Sequence, residues 1–141
     1  MKYLITGGCG FIGSNLIEKL LSNEESFIYC VDNESGGNKK FNNSKIRYFQ
    51  TDISDSENLE IIFKALRPDY VFHMAAESRV GTCEETPAKA INTNVLGTLN
   101  ILKLSKKYNV KRVIYSSTSA TYGRTNQLPT SEHQPSDNIG V

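Results

Sequence analysis

The segment Thr6-Gly7-Gly8-Cys9-Gly10-Phe11-Ile12-Gly13 restricts the possible folds of this chain more than any other. It follows a short apolar run, Lys2–Thr6, that reads as a strand. It opens a stretch, Phe11–Leu21, whose Leu16, Ile17, Leu20 and Leu21 fall on one helical face. Glycines at every third position between a strand and a helix predict a tight turn. Gly7 permits the turn, Gly10 lets a ligand approach the backbone, and Gly13 lets the helix pack against the sheet. The N–H groups at such a helix start lack partners and attract an anion.

The rest of the chain continues the alternation. Phe27–Val31 is an unbroken apolar run suited to a strand buried on both faces. Asp32–Asn43 is polar and glycine-containing, and reads as a loop. Lys45–Thr51 is a third strand. Ser54 and Glu57 have capping-box spacing ahead of Leu59, Ile62, Phe63 and Leu66, a second helix. Asp69–Met74 is a fourth strand. Thr86-Pro87 pairs a capping hydroxyl with a proline at the first helical position. The long helix it starts runs to about Tyr108 with the apolar stripe Ile91, Val95, Leu99 and Leu102, and Lys111–Tyr115 is a fifth strand. Strands alternating with helices predict an α/β fold with a doubly wound parallel sheet of about five strands. Residues 1–124 read as one domain, and 125–141 as a polar tail.

Charge is nearly balanced, at +1, which argues against nucleic acid or an anionic membrane as partner. No apolar stretch approaches the ~20 residues of a membrane span, and no signal peptide is visible. The three cysteines, Cys9, Cys30 and Cys83, cannot all pair and form no C-x-x-C, so reduced thiols and a cytoplasmic location are expected. The two histidines, His73 and His133, and the scattered acids have no metal-ligand spacing, and no metal is expected. His73, at the end of an apolar strand, is read as a packed or capping histidine.

Asp32 adds a third element to the glycine turn. It stands at the end of the second strand, about 20 residues beyond Gly13, where a carboxylate accepts both hydroxyls of an adenosine ribose. A 2′-phosphate there would meet like charge, at a cost of about 4 kcal/mol for a 4 Å separation and an effective dielectric near 20. The turn and its acid therefore predict a Rossmann half that takes NAD rather than NADP.

Several further stretches are ordered as in one family. The turn has the form T-G-G-x-G-F-I-G. Asp32-Asn33 with Gly36 and Gly37 matches D-N-x-x-x-G, and Asp52-Ile53 matches an acidic-apolar pair. His73-Met74-Ala75-Ala76-Glu77-Ser78 matches H-x-A-A-x-S. Asn94-Val95-Leu96-Gly97-Thr98 matches N-V-x-G-T, and Ser116 to Gly123 matches S-S-[ST]-x-x-x-Y-G. Together they resemble the extended short-chain dehydrogenase/reductases, in particular the NAD-dependent sugar-nucleotide epimerases and dehydratases. The resemblance implies cofactor contacts from Gly7, Gly10, Phe11, Ile12, Gly13, Asp32, Asn33, Asp52, Ile53, Ala75, Ala76, Asn94 and Ser116. Asp52-Ile53 would bracket the adenine, and Ala75 and Ala76 would lie beneath the nicotinamide half. Thr118 would be the catalytic hydroxyl, assisting proton movement at a sugar carbon oxidised transiently at C4. The substrate would be a UDP- or dTDP-sugar.

The family also implies a Y-x-x-x-K pair as general base, and no tyrosine here is followed by lysine four residues on. The resemblance thus covers an amino-terminal part, truncated before the later strands and the substrate domain, with the polar tail leading toward the missing motif. A fragment of a longer enzyme, a naturally short NAD-binding chain without turnover, and a subunit completed by another chain all remain open. Thr118-Ser119-Ala120 stands where the dehydratases carry T-D-E, which favours an epimerase and leaves decarboxylases and reductases in play. The stripe on the long helix, lacking the helix it would pack against, predicts self-association, a homodimer or larger.

Overall fold

The computed structural model describes residues 1–123 and 128–133. Five parallel strands form one sheet: β1 Lys2–Thr6, β2 Phe27–Asp32, β3 Ile46–Gln50, β4 Tyr70–His73 and β5 Arg112–Tyr115, in the order β3-β2-β1-β4-β5. All five strands were expected, β1 with the bounds observed and the others with ends differing by at most one residue. The winding direction reverses between β1 and β4, the place where open α/β sheets bind ligands at the carboxyl ends of the strands. Register brings those ends together, with Thr6 opposite both Val31 and His73.

Successive strand residues face opposite sides of the sheet, and each side has its own core. Ile5, Ile28 and Cys30 meet Ile17 of α1, Phe11–Leu21. Leu4, Val31 and Val71 meet Leu59 and Phe63 of α2, Ser56–Leu66, and Ile101 of the last helix. Most of these side chains are wholly buried, and burial of each contributes about 1.5–3 kcal/mol. The doubly wound α/β prediction holds because both faces of β1 and β2 are apolar.

Local details differ from expectation. Helix α2 is capped by Asp55, whose carboxylate accepts from Asn58 N at 3.0 Å. Ser54 instead donates to Asp52 through both its amide and its hydroxyl. An unanticipated helix, α3 Val80–Glu85, precedes the long one. Thr86 turns its hydroxyl back to Thr82 O and caps nothing. The expected long helix is continuous in its dihedrals but composite: α4 Pro87–Ile91, a π turn Asn92–Gly97, and α5 Thr98–Lys107. At Gly97 an added Cβ would lie 2.5 Å from Ile53 Cδ1, so the π turn sits tight against the loop after β3.

The stripe Ile91, Val95, Leu99 and Leu102 is 42–57% exposed, while Ile101 and Leu104 on the opposite face are buried. Beyond β5, Thr118 caps a 3-10 turn, Ser119–Tyr122. The boundary at 124/125 and most of the polar tail lie outside the described residues.

Candidate functional site

A cleft of about 380 Å³ opens at the carboxyl ends of β1, β2 and β4. Of the residues singled out from sequence, Gly7, Gly10, Phe11, Ile12, Gly13, Asp32, Asn33, Ile53, Ala75 and Ala76 line it. Asp52, Asn94, Ser116 and Thr118 do not.

The glycines divide the work of the turn. Gly7 has φ +69°, and a Cβ on it would lie 2.7 Å from Ala75 N. A Cβ on Gly13 would overlap the Gly7 carbonyl oxygen and come within 2.7 Å of Gly8 Cα. Gly10 has only Gly7 O nearby, at 3.4 Å, so its outer side faces open space. As the N-cap of α1 it supplies no capping side chain. The first-turn amides are left for an anion at the cleft. Phe11 and Ile12, 86% and 64% exposed, form an apolar lip beside them.

Asp32 is held from both sides: Oδ2 accepts from Cys9 N at 2.8 Å and Oδ1 from Glu34 N at 2.7 Å. Each carboxylate oxygen keeps a further acceptor site, so the group is oriented yet still able to receive hydroxyls. Asn33 Nδ2 donates to Asp52 Oδ2 at 2.6 Å. Partial burial raises the Asp52 carboxyl, but hydrogen bonds from Ser54 and Asn33 outweigh it and hold the group below the usual range. Asp52 thus fixes Asn33 and the turn before α2, while its neighbours Thr51 and Ile53 face the cleft.

Under the other half of the cleft lies a directed hydrogen-bond chain. Ala75 N donates to Thr6 Oγ1 at 3.2 Å, and Thr6 Oγ1 is 2.6 Å from His73 Nδ1. His73 Nε2 is 2.9 Å from Thr98 Oγ1, which donates to Asn94 O at 2.8 Å. The Thr98 proton is committed to Asn94 O, so its oxygen accepts from Nε2–H and Nδ1 accepts from Thr6. This requires the neutral Nε2–H tautomer. Desolvation lowers the His73 pKa to about 4, in keeping with a neutral ring. Of the two readings of His73, packed or capping, this buried geometry matches the packed one.

Asn94, within the π turn, receives Glu77 N at Oδ1 and donates to Glu77 O through Nδ2, both at 2.9 Å. Both polar ends of the amide hold the loop after β4. Glu77 is buried. Burial raises its carboxyl, and Arg79 and Lys89, at 3.3 and 3.4 Å, more than offset that. Ser116 is tied to the same loop: its amide donates to His73 O and its hydroxyl to Met74 Sδ. Thr118 is exposed, and its oxygen accepts from Ala120 N at 3.2 Å.

The fold adds Lys89, Thr93, Arg79 and Ser35 to the lining. Lys89 and Thr93 are four residues apart on one helical face, which periodicity alone could have paired. It also gathers Cys9 and Cys30, both buried, with Sγ atoms 4.0 Å apart. Their ligand atoms and that of Asp32 lie within 4.8 Å of one another. Burial pushes both thiols up, so they stay protonated. Spacing along the sequence concealed this cluster, which the fold alone brings together. Among the described residues no helix is long and apolar enough to cross a membrane.

Known proteins share this architecture. The chain is 39% identical over 134 residues to a putative UDP-glucose 4-epimerase of Methanocaldococcus jannaschii, covering 94% of the chain and 43% of that protein. A solved UDP-glucose 4-epimerase of Thermotoga maritima, crystallised with UDP-glucose, superposes with a TM-score of 0.89 at 40% identity, over 99% of this chain and 45% of that one. The Thermus thermophilus UDP-glucose 4-epimerase, in complex with NAD, gives a TM-score of 0.87 at 33% identity, over 97% and 44%. The chain therefore spans less than half the length of these relatives. The sequence profile of the NAD dependent epimerase/dehydratase family matches residues 3–140, and the chain belongs to that family.

Proposed function

We propose that these residues form the NAD-holding part of a sugar-nucleotide 4-epimerase-like enzyme. The observation that carries the reading is the joint placement of the uncapped α1 start and the doubly anchored Asp32 on one cleft. The turn suits a dinucleotide: Gly7 and Gly13 let the backbone close up without side chains, and Gly10 leaves the helix start accessible. Gly10, Phe11, Ile12 and Gly13 would hold the pyrophosphate, Asp32 and Asn33 the adenosine ribose, and Ile53 the adenine. Asp52 would act through Asn33. Ala75 and Ala76 would floor the nicotinamide half, with Asn94 and Ser116 fixing their loop. Bound NAD supplies a hydride acceptor and donor for transient oxidation at sugar C4. Thr118 would hydrogen-bond the reacting hydroxyl.

The substrate class is a UDP- or dTDP-sugar, supported by the UDP-glucose bound to the Thermotoga relative. Thr118-Ser119-Ala120 lacks the acid pair of the dehydratases and favours epimerisation. We place residues 1–124 in the cofactor domain. The free thiols suit a reducing compartment, the cytoplasm. The exposed stripe on α4–α5 supports self-association.

A second reading, an NAD-binding module without turnover, is favoured by one observation: within residues 1–141 no tyrosine is followed by lysine four positions on. Incubation with NAD and a panel of UDP- and dTDP-sugars separates the readings. NAD binding without product is expected of this chain alone. Epimerised sugar would show that the base is supplied from within it.

A further inference from the structure

Cys30 and Asp32 are two residues apart on β2 and so share one face of the sheet. The glycine turn leaving β1 lays Cys9 over that face, and Cys9 N donates to Asp32 Oδ2 at 2.8 Å. The two sulfurs are 4.0 Å apart. Two thiolates on a tetrahedral ion at ~2.3 Å each stand about 3.8 Å apart, so the pair is already set for one ion. The Asp32 ligand atom completes a cluster within 4.8 Å. Two thiolates and one carboxylate, with a fourth position left to water, form a soft-to-borderline donor set.

Two of the three residues border surface openings, while both cysteines are buried. Asp32 lines the main cleft, and Cys9 lines a separate groove with Gly10, Gly37, Asn38 and Lys39. Negative charge from Asp32 and Glu34 is close to Cys9, with Lys40 opposing it. Two thiols and a single carboxylate give a hard cation such as Mg²⁺ little to bind, since it takes oxygen ligands. An ion with high thiolate affinity displaces the two protons to solvent, with no change of oxidation state.

We propose that Cys9, Cys30 and Asp32 form a binding site for a thiophilic divalent cation, Zn²⁺ or Cd²⁺, whose occupation excludes NAD. An ion held there takes up the carboxylate assigned to the ribose and pins the glycine turn from beneath. The site is independent of the sugar chemistry, but its antagonism with the cofactor rests on the assignment of NAD to this cleft.

The test titrates the 141-residue chain, kept in a non-thiol phosphine reductant, with Cd²⁺ while following thiolate-to-cadmium charge-transfer absorbance. Zn²⁺ is measured by competition with a chromophoric chelator. One ion per chain is expected, with an absorbance of two thiolates. Cys9→Ser and Cys30→Ala are each expected to weaken binding at least 10-fold, and Cys83→Ser to leave it unchanged. Cys30→Val, which refills the core volume, guards against a folding defect in the alanine variant. A charge-transfer band that survives Cys30→Val, or that disappears in Cys83→Ser, overturns the site. Calorimetry then measures NAD affinity with and without one equivalent of Zn²⁺. At least a 10-fold loss is expected in the parent chain and none in Cys30→Val. Equal NAD affinity with and without the ion overturns the antagonism. A chain that binds Cd²⁺ through both cysteines but never binds NAD refutes the cofactor assignment and leaves the metal site standing.

Discussion

The two sides of the cleft are built differently. On the β2 side the turn and its polar groups are anchored by the described chain itself: Gly13 sits against Gly7, Asp32 is held by two amides, and Asn33 is tied to Asp52. On the β5 side the loop after β4 is anchored by His73 and Asn94, but Thr118 and the helical stripe face outward. Among the described residues β5 is an edge strand, and its Tyr115 is 55% exposed. The contrast teaches that the side proposed to hold the cofactor is fixed by contacts among the described residues, whereas the side proposed to meet substrate is open.

The comparison is broken most severely at Gly13. Gly13→Val places carbon inside the Gly7 carbonyl, and we expect at least a 100-fold loss of NAD affinity by calorimetry, with about 1–3 kcal/mol lost in urea unfolding. Unchanged affinity would mean that the turn does not contact the cofactor.

Next comes His73, which links the two sides. Its folded pKa, about 4, lies below the ordinary value of 6.5, so the unfolded chain binds more protons between these values. Stability at this residue is full above pH 6.5 and falls as pH drops toward 4, by about 3 kcal/mol in total. Urea unfolding from pH 7 to 4.5 should show this decline. His73→Gln should flatten it, and an identical slope in both proteins would assign the titration elsewhere.

A smaller effect is expected on the β4 loop. Asn94→Ala leaves Glu77 N and O without partners, costing about 1–3 kcal/mol, and should speed amide exchange at 75–79 while leaving the glycine turn protected. Exchange that stays slow there would remove Asn94 from its anchoring role. The smallest effect on the cradle is expected from Leu99→Lys with Leu102→Lys. That pair should convert any self-associated chain to monomer in light scattering and change NAD affinity less than twofold. Association that persists would direct the search to another face.

Much of the β2 side was legible before the structure. Strand, glycine turn, helix and acid are contiguous in sequence, and their spacing carries their geometry. The β4 side was less so. Asn94 was visible as a polar residue in an apolar helix, but its grip on both ends of the Glu77 peptide unit needs a π turn that a 3.6-residue pattern does not register. The cap of α2 moved from Ser54 to Asp55 because Asp52 already occupies the Ser54 hydroxyl. Cys9 and Cys30, twenty-one residues apart, meet only through the pairing of β1 with β2. Lys89 and Arg79 reach the cleft through Glu77, a tertiary contact with no local signature.

The most direct measurement compares NAD with NADP on the unmodified chain and on Asp32→Asn by calorimetry. One NAD per chain, NADP at least 10-fold weaker, and a narrowed gap in Asp32→Asn are the expected results. Equal affinity for the two dinucleotides, or no NAD binding at all, would contradict the assignment of the glycine turn and Asp32 to this cofactor.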